Sequence, residues 1–152
     1  MSSWPSISYP EWSATCDTLH AHTQVLGKLA AELAPPEPQL QHAALRLTAR
    51  GWETLPLPAP DGSGASFVVA IDLHQSEARL ETSDGEVDAM PLVPNRAVGE
   101  VTRDVQKAVA HLVGKVDIDF EPQEVAWTTP LDQDTEHATY ERQAIAEYFG
   151  MA

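Results

Sequence analysis

Two sets of side chains in this sequence have types and spacings that could do chemistry. In the first, Asp72 and His74 stand two residues apart. That spacing puts both on one face of a strand, where the carboxylate can orient the imidazole as a general base. Thr48 and Arg50 alternate with Leu47 and Ala49 in the same way. In-register pairing then gathers Thr48, Arg50, Asp72 and His74 on the side opposite Leu47, Phe67, Val69 and Ile71. In the second set His20, Gln24 and Lys28 follow at four-residue steps, one polar row along a helix. A row of donors suits an anionic ligand. Lys28 and Arg50 would supply charge, with His20, Gln24, Thr48 and His74 giving orientation. Both sets also have a plain reading, since a solvated sheet face and an exposed helix face carry the same residue types.

Other chemistries find little footing. His20, His22, His42, His74, His111 and His137 include no H-x-x-x-H pair. His20 and His22 point about 200° apart on a helix, so no metal site is expected. There is no G-x-S-x-G elbow, and Cys16 falls on an apolar helix stripe where a thiol is inert. Asp61-Gly62-Ser63-Gly64 lacks both the phosphate-loop motif and its following helix, and no cofactor is expected. The four tryptophans, Trp4, Trp12, Trp52 and Trp127, read as core or rim packing.

Charge excludes more than it specifies. The 152 residues carry a net charge of −14, which divides as −4 over residues 1–76 and −10 over residues 77–152. Such a field repels phosphate backbones and anionic lipid headgroups, so neither nucleic acid nor a membrane surface is an expected partner. The acidic second half could instead dock a basic protein, although Glu81, Asp84, Glu86 and Asp88 alternate with apolar or small residues like the wet side of a strand. No apolar run approaches a membrane span. One cysteine excludes an internal disulfide and suits the cytoplasm.

The elements that must position these residues follow from periodicity. Trp4 to Ile7 is extended because proline disfavours helix in the residue before it. Ser8, Pro10 and Glu11 predict a capped helix start. Trp12, Cys16, Leu19, Leu26, Ala30 and Leu33 continue it as one apolar stripe, stopped by Ala34-Pro35-Pro36. Alternation predicts strands over Leu45 to Arg50, Phe67 to His74, Ala78 to Ser83 and Glu86 to Leu92, paired as a meander. Val98, Val101, Val105, Val109 and Leu112 predict a second helix ended by Gly114. Val116, Ile118 and Phe120 predict a further strand, which Val125 and Trp127 extend or pair with. A last helix is predicted from about Asp134 to Phe149. The expected fold is a single α+β domain over residues 1–152, an antiparallel β-meander packed with a long N-terminal helix, a second helix after the meander and a C-terminal helix.

The residues also resemble a family. Trp4-Pro5, Tyr9, Trp12, Thr18-Leu19-His20, Thr23-Gln24 and Gly27-Lys28 look like the opening of the bacterial family catalogued as domain of unknown function 5996. Leu47 to Gly51 with Thr54 resembles its next motif, and Asp72, His74 and Thr82 to Gly85 the one after. Pro122 to Val125, Pro130, Asp134, His137 and Tyr140 look like a further segment. Members typically carry a tryptophan-rich, His-containing stretch before the first strand, of which Gln39 to Ala44 keeps only His42. They are commonly about twice as long, so the chain resembles their first half. The resemblance implies no activity.

Three functions are therefore expected. The first is a binding domain that holds a small anionic molecule or a peptide between the first helix and the sheet. The second is an enzyme using a His74/Asp72 general base, and the third an acidic module docking a basic partner. A homodimer is compatible with each.

Overall fold

A computed structural model describes residues 6 and 8–151. The opening Trp4 to Ile7, apart from Ser6, lies outside the described residues.

The first helix, α1, spans Tyr9–Leu33. Ser8 is its N-cap and Pro10 lies in its first turn, but the Ser8 hydroxyl makes no cap bond. Pro10 has no amide hydrogen to offer, and the Glu11 amide already donates to the Ser8 carbonyl at 3.0 Å. The expected capping box therefore does not form. Burial on α1 is also wider than one stripe. Trp12, Leu19, Leu26 and Leu29 enter the main core, while Ala21 and Val25 pack into a second cluster with Val98, Phe120 and Leu131. A helix wedged between two clusters must bury residues on both flanks.

Six antiparallel strands follow: β1 (Arg46–Thr48), β2 (Gly51–Glu53), β3 (Leu57–Pro58), β4 (Ser66–Asp72), β5 (Glu77–Thr82) and β6 (Val87–Pro91). Their order is β1-β2-β4-β5-β6, with β3 also pairing β4. The strand expected over Leu45 to Arg50 is cut by a tight turn at Ala49-Arg50, which sets Thr48 opposite Gly51. Leu47 pairs with Trp52 in register yet is 54% exposed, because β1 is the outermost strand. Gly51 permits the turn. Its φ is +147°, and a Cβ there would lie 2.1 Å from the Ile71 carbonyl oxygen. Gly51→Ala is expected to destabilise the fold by about 2–4 kcal/mol, measured by urea unfolding.

Phe67, Val69, Ile71, Ala78, Leu80 and Met90 form the inner sheet face. It is covered by α1 and by α2 (Val98–Leu112), whose Val101, Val105 and Val109 fulfil the expected stripe. Gly114 ends α2 with φ +117°, its amide donating to Val109 at 3.0 Å.

Two expected elements differ. Residues 116–120 alternate in burial but join no ladder. Val116 and Ile118 pack instead beside Leu29, Val109 and Ala110, on the helices. Val125 and Trp127 are likewise in no strand. The last helix, α3, begins only at Arg142 and runs to Met151. The carbonyls of Asp134, His137 and Ala138 accept from Gly99, Val98 and Asn95 at 2.8–2.9 Å. Those amides lie at and before the start of α2, where a helix has free donors, so residues 134–138 are held as a loop. No helix among the described residues is long and apolar enough to cross a membrane.

Candidate functional site

The sheet set is brought together on the solvent face. Thr48, Arg50, Glu53 and His74 line one shallow, open hollow at the β1–β2 turn. Arg50 bridges Glu53 at 2.9 Å and Glu81 at 2.5 Å. Arg79 similarly meets Glu77 at 2.8 Å. Arg50 thus ties the hairpin to β5, and Arg79 is matched by glutamates of its own strand. Asp72 reaches His74 through the backbone. Its Oδ1 accepts from the amides of His74 at 2.9 Å and Gln75 at 2.8 Å, closing the turn after β4. The imidazole is held elsewhere: Nε2 donates to the Ala49 carbonyl at 2.8 Å, and the ring meets Phe149 edge-on at 5.7 Å.

The helix set lines a different hollow with Gln123 and Glu124. Gln24 clamps that loop twice, its Nε2 donating to the Gln123 carbonyl at 2.9 Å and its Oε1 accepting from the Gln123 amide at 3.0 Å. His20 packs edge-on against Trp127 at 5.4 Å. Lys28 makes no ion pair among the described residues. The two sets do not converge. α1 covers the inner sheet face, whereas Arg50 and its glutamates occupy the outer one.

Two features were missed in the sequence. The first is a hollow of about 290 Å³ between α1, the β1–β2 hairpin and α3. Trp12, Trp52, Tyr148, Leu19 and Leu45 supply apolar walls, and Cys16, His20 and Thr23 add polar atoms along one helix face. The rings cluster: Trp12 stacks on Tyr148 at 4.6 Å, and Trp52 lies 6.3 Å from the same ring. Burial, and then the neighbouring Asp17 charge, raise the Cys16 thiol, which keeps it protonated and neutral at pH 7. His20 is the one residue of the two expected sets that lines this hollow.

The second is a buried polar knot. Asp134 is 3% exposed. Its Oδ1 accepts from the amides of Glu136 and His137, both at 2.9 Å, and its Oδ2 lies 2.5 Å from His137 Nδ1. Burial alone would raise this carboxyl, but the His137 and Glu136 bonds outweigh it and hold it below its ordinary value. Trp127 covers the His137 ring at 4.3 Å. His22, fully buried nearby, is lowered to about 4, first by burial and then by Arg96. The D-x-x-H spacing of an Asp-capped turn was the available signal, obscured by reading Asp134 as the start of a helix.

Among the described residues no three His, Cys, Asp or Glu side chains gather where they could hold a metal ion. Comparison with curated proteins and with solved structures finds no match. A family model does match, over residues 4–152, and the motifs it spans include α1, the β1–β2 turn and the Asp134–His137 loop. The chain belongs to the Family of unknown function (DUF5996).

Proposed function

We propose that this chain is a binding domain for a small organic molecule with an apolar body, held between α1, the β1–β2 hairpin and α3. The observation that carries this reading is the hollow walled by Trp12, Trp52 and Tyr148. At about 290 Å³ it lies at the lower edge of the roughly 300–1,000 Å³ typical of small-molecule sites. Its composition also fits, with mostly apolar walls and a few polar atoms at Cys16, His20 and Thr23.

An anionic ligand or a peptide on the polar rows draws less support. Arg50 already carries two carboxylates, and Lys28 shares its hollow with Glu124. A general base at His74 also draws less, because Nε2 is spent on the Ala49 carbonyl and Asp72 on backbone amides.

Trp52 offers the direct test. Trp52→Ala is expected to weaken binding of small aromatic fragments at least about tenfold, since truncating a central aromatic anchor typically costs about 2 kcal/mol or more. Ligand-observed NMR measures the loss, with circular dichroism confirming the fold. Equal binding by a folded Trp52→Ala chain would overturn the assignment.

A further inference from the structure

The sheet ends in an edge that the aromatic hollow does not reach. β6 pairs β5 on one side and no strand on the other, at the opposite end of the sheet from β1. We infer that this edge takes up an extended peptide strand of a partner protein, with a lysine or arginine of that strand set opposite Asp88.

The register fixes which main-chain groups are free. The Thr82 amide donates to the Glu86 carbonyl at 2.9 Å, and the Leu92 amide to the Ser76 carbonyl at 2.8 Å. The main-chain groups of Glu86 and Leu92 therefore point toward β5. Those of Asp88 and Met90 do the same, because the direction alternates along an antiparallel strand. Val87, Ala89 and Pro91 point theirs outward. Proline has no amide hydrogen, and the Pro91 carbonyl already accepts from Arg96 at 2.7 Å. The amides and carbonyls of Val87 and Ala89 remain, four groups on exposed residues that nothing bonds among the described residues. Such a row is a template for strand addition, in which main-chain bonds give affinity and alternate side chains give selectivity.

The selectivity lies on the inner face. Directly opposed residues share a face, so Asp88, opposite Leu80, and Met90, opposite Ala78, both look toward α2. A groove of about 340 Å³ opens there between β6 and α2. Met90 and Ala108 supply its apolar part, and Asp104, Lys107 and His111 stand on the helix wall. An added strand sends every second side chain into this groove. Arg96 occupies Asp104, whereas Asp88 is exposed and makes no ion pair among the described residues. The incoming residue opposite Met90 thus meets an apolar surface, and the one opposite Asp88 meets a free carboxylate that a base matches. Asp88 also disfavours a second copy of the chain. The symmetric pairing of two β6 strands that uses all four open groups is centred on Asp88, and it sets two carboxylates face to face.

The probe is the capped peptide Thr-Val-Thr-Lys-Thr-Lys, whose first lysine falls opposite Asp88 when its valine falls opposite Met90. It is titrated into the full chain, labelled with nitrogen-15, and followed by amide chemical shifts. The largest shifts are expected at Val87 and Ala89. Glutamate in place of the first lysine should weaken binding about fivefold or more, and Asp88→Lys should reverse that preference. Methylating the amides of the two threonines opposite Val87 and Ala89 removes two donors and should weaken binding about tenfold or more. Equal binding by the methylated peptide would overturn strand addition. A glutamate peptide that binds as tightly as the lysine one, drawn by Lys107 and His111, would overturn the basic partner. Unmoved Val87 and Ala89 amides at millimolar peptide would overturn both. So would shifts of these amides with protein concentration alone, the mark of a second copy on the edge.

Discussion

Asp134→Ala is expected to remove about 2–4 kcal/mol of stability, because it strips two backbone amides and one ring nitrogen of a shared buried acceptor. The carboxylate accepts three bonds at once, two from backbone amides and one from the His137 ring. Truncation leaves the Glu136 and His137 amides and the His137 ring without their partner, beneath Trp127. The damage reaches further than the loop. Asp134 and His137 also give their carbonyls to the Gly99 and Val98 amides. A Cβ on Gly99 would lie 2.7 Å from the Asp134 oxygen, so loop and helix meet with no spare room. Releasing the loop therefore frees the start of α2, whose Val101, Val105 and Val109 belong to the main core. Urea unfolding measures the effect. Glu136→Ala, an exposed carboxylate in the same turn, should change stability by less than about 0.5 kcal/mol. A loss below about 1 kcal/mol in Asp134→Ala would contradict this account.

Acid should destabilise the chain well before its carboxylates protonate, and His22 should be the cause. The buried imidazole is lowered to about 4 by burial and by Arg96, while an unfolded histidine titrates near 6.5. Above about pH 6.5 both states hold His22 neutral and it contributes no pH dependence. Between about 6.5 and 4 only the unfolded chain binds the proton, so stability falls as pH falls. The full window is worth about 3 kcal/mol. Asp134 does not confuse the reading: its lowered carboxyl holds its contribution above the ordinary carboxylate value and yields it only at lower pH. Urea unfolding at intervals from pH 7 to 4.5 should show the decline in the wild-type chain. In His22→Gln it should be shallower by about 2 kcal/mol over that range. Equal slopes would contradict the assignment to His22.

Local chemistry made much of the fold legible. Pro35 and Pro36 stop α1, Gly114 stops α2, and the alternation of Phe67 to Ile71 with Ala78 and Leu80 gives the paired centre of the sheet. What escaped was set by distant partners. Val116 to Phe120 alternates because one side meets helices, and alternation cannot distinguish that from a strand beside a sheet. Ala49-Arg50 lacks ordinary turn residues, so the hairpin depends on Gly51 and its close approach to Ile71. Residues 134–138 have no helix-breaking residue of their own; free amides around the start of α2 hold them out of a helix.

The site was legible only in part for the same reason. Four-residue spacing correctly aligned His20 and Gln24, and both engage the loop around Gln123 and Trp127. Arg50 reaches Glu53 and Glu81 from the turn after β1, which period two did not reveal. Neither pattern reveals that α1 covers the opposite side of the sheet. Trp12, Trp52 and Tyr148 each look like ordinary packing in sequence, and they become a hollow only when three remote segments meet.

The most direct test of that hollow is a Cys16 protection experiment. The lone cysteine lines the cavity, so it reports occupancy from within. Fragments that bind the full chain by ligand-observed NMR are added before N-ethylmaleimide, and labelling is followed by intact mass. Labelling should slow in the wild-type chain and not in a folded Trp52→Ala chain. Fragments that bind both chains equally and leave Cys16 labelling unchanged would contradict it.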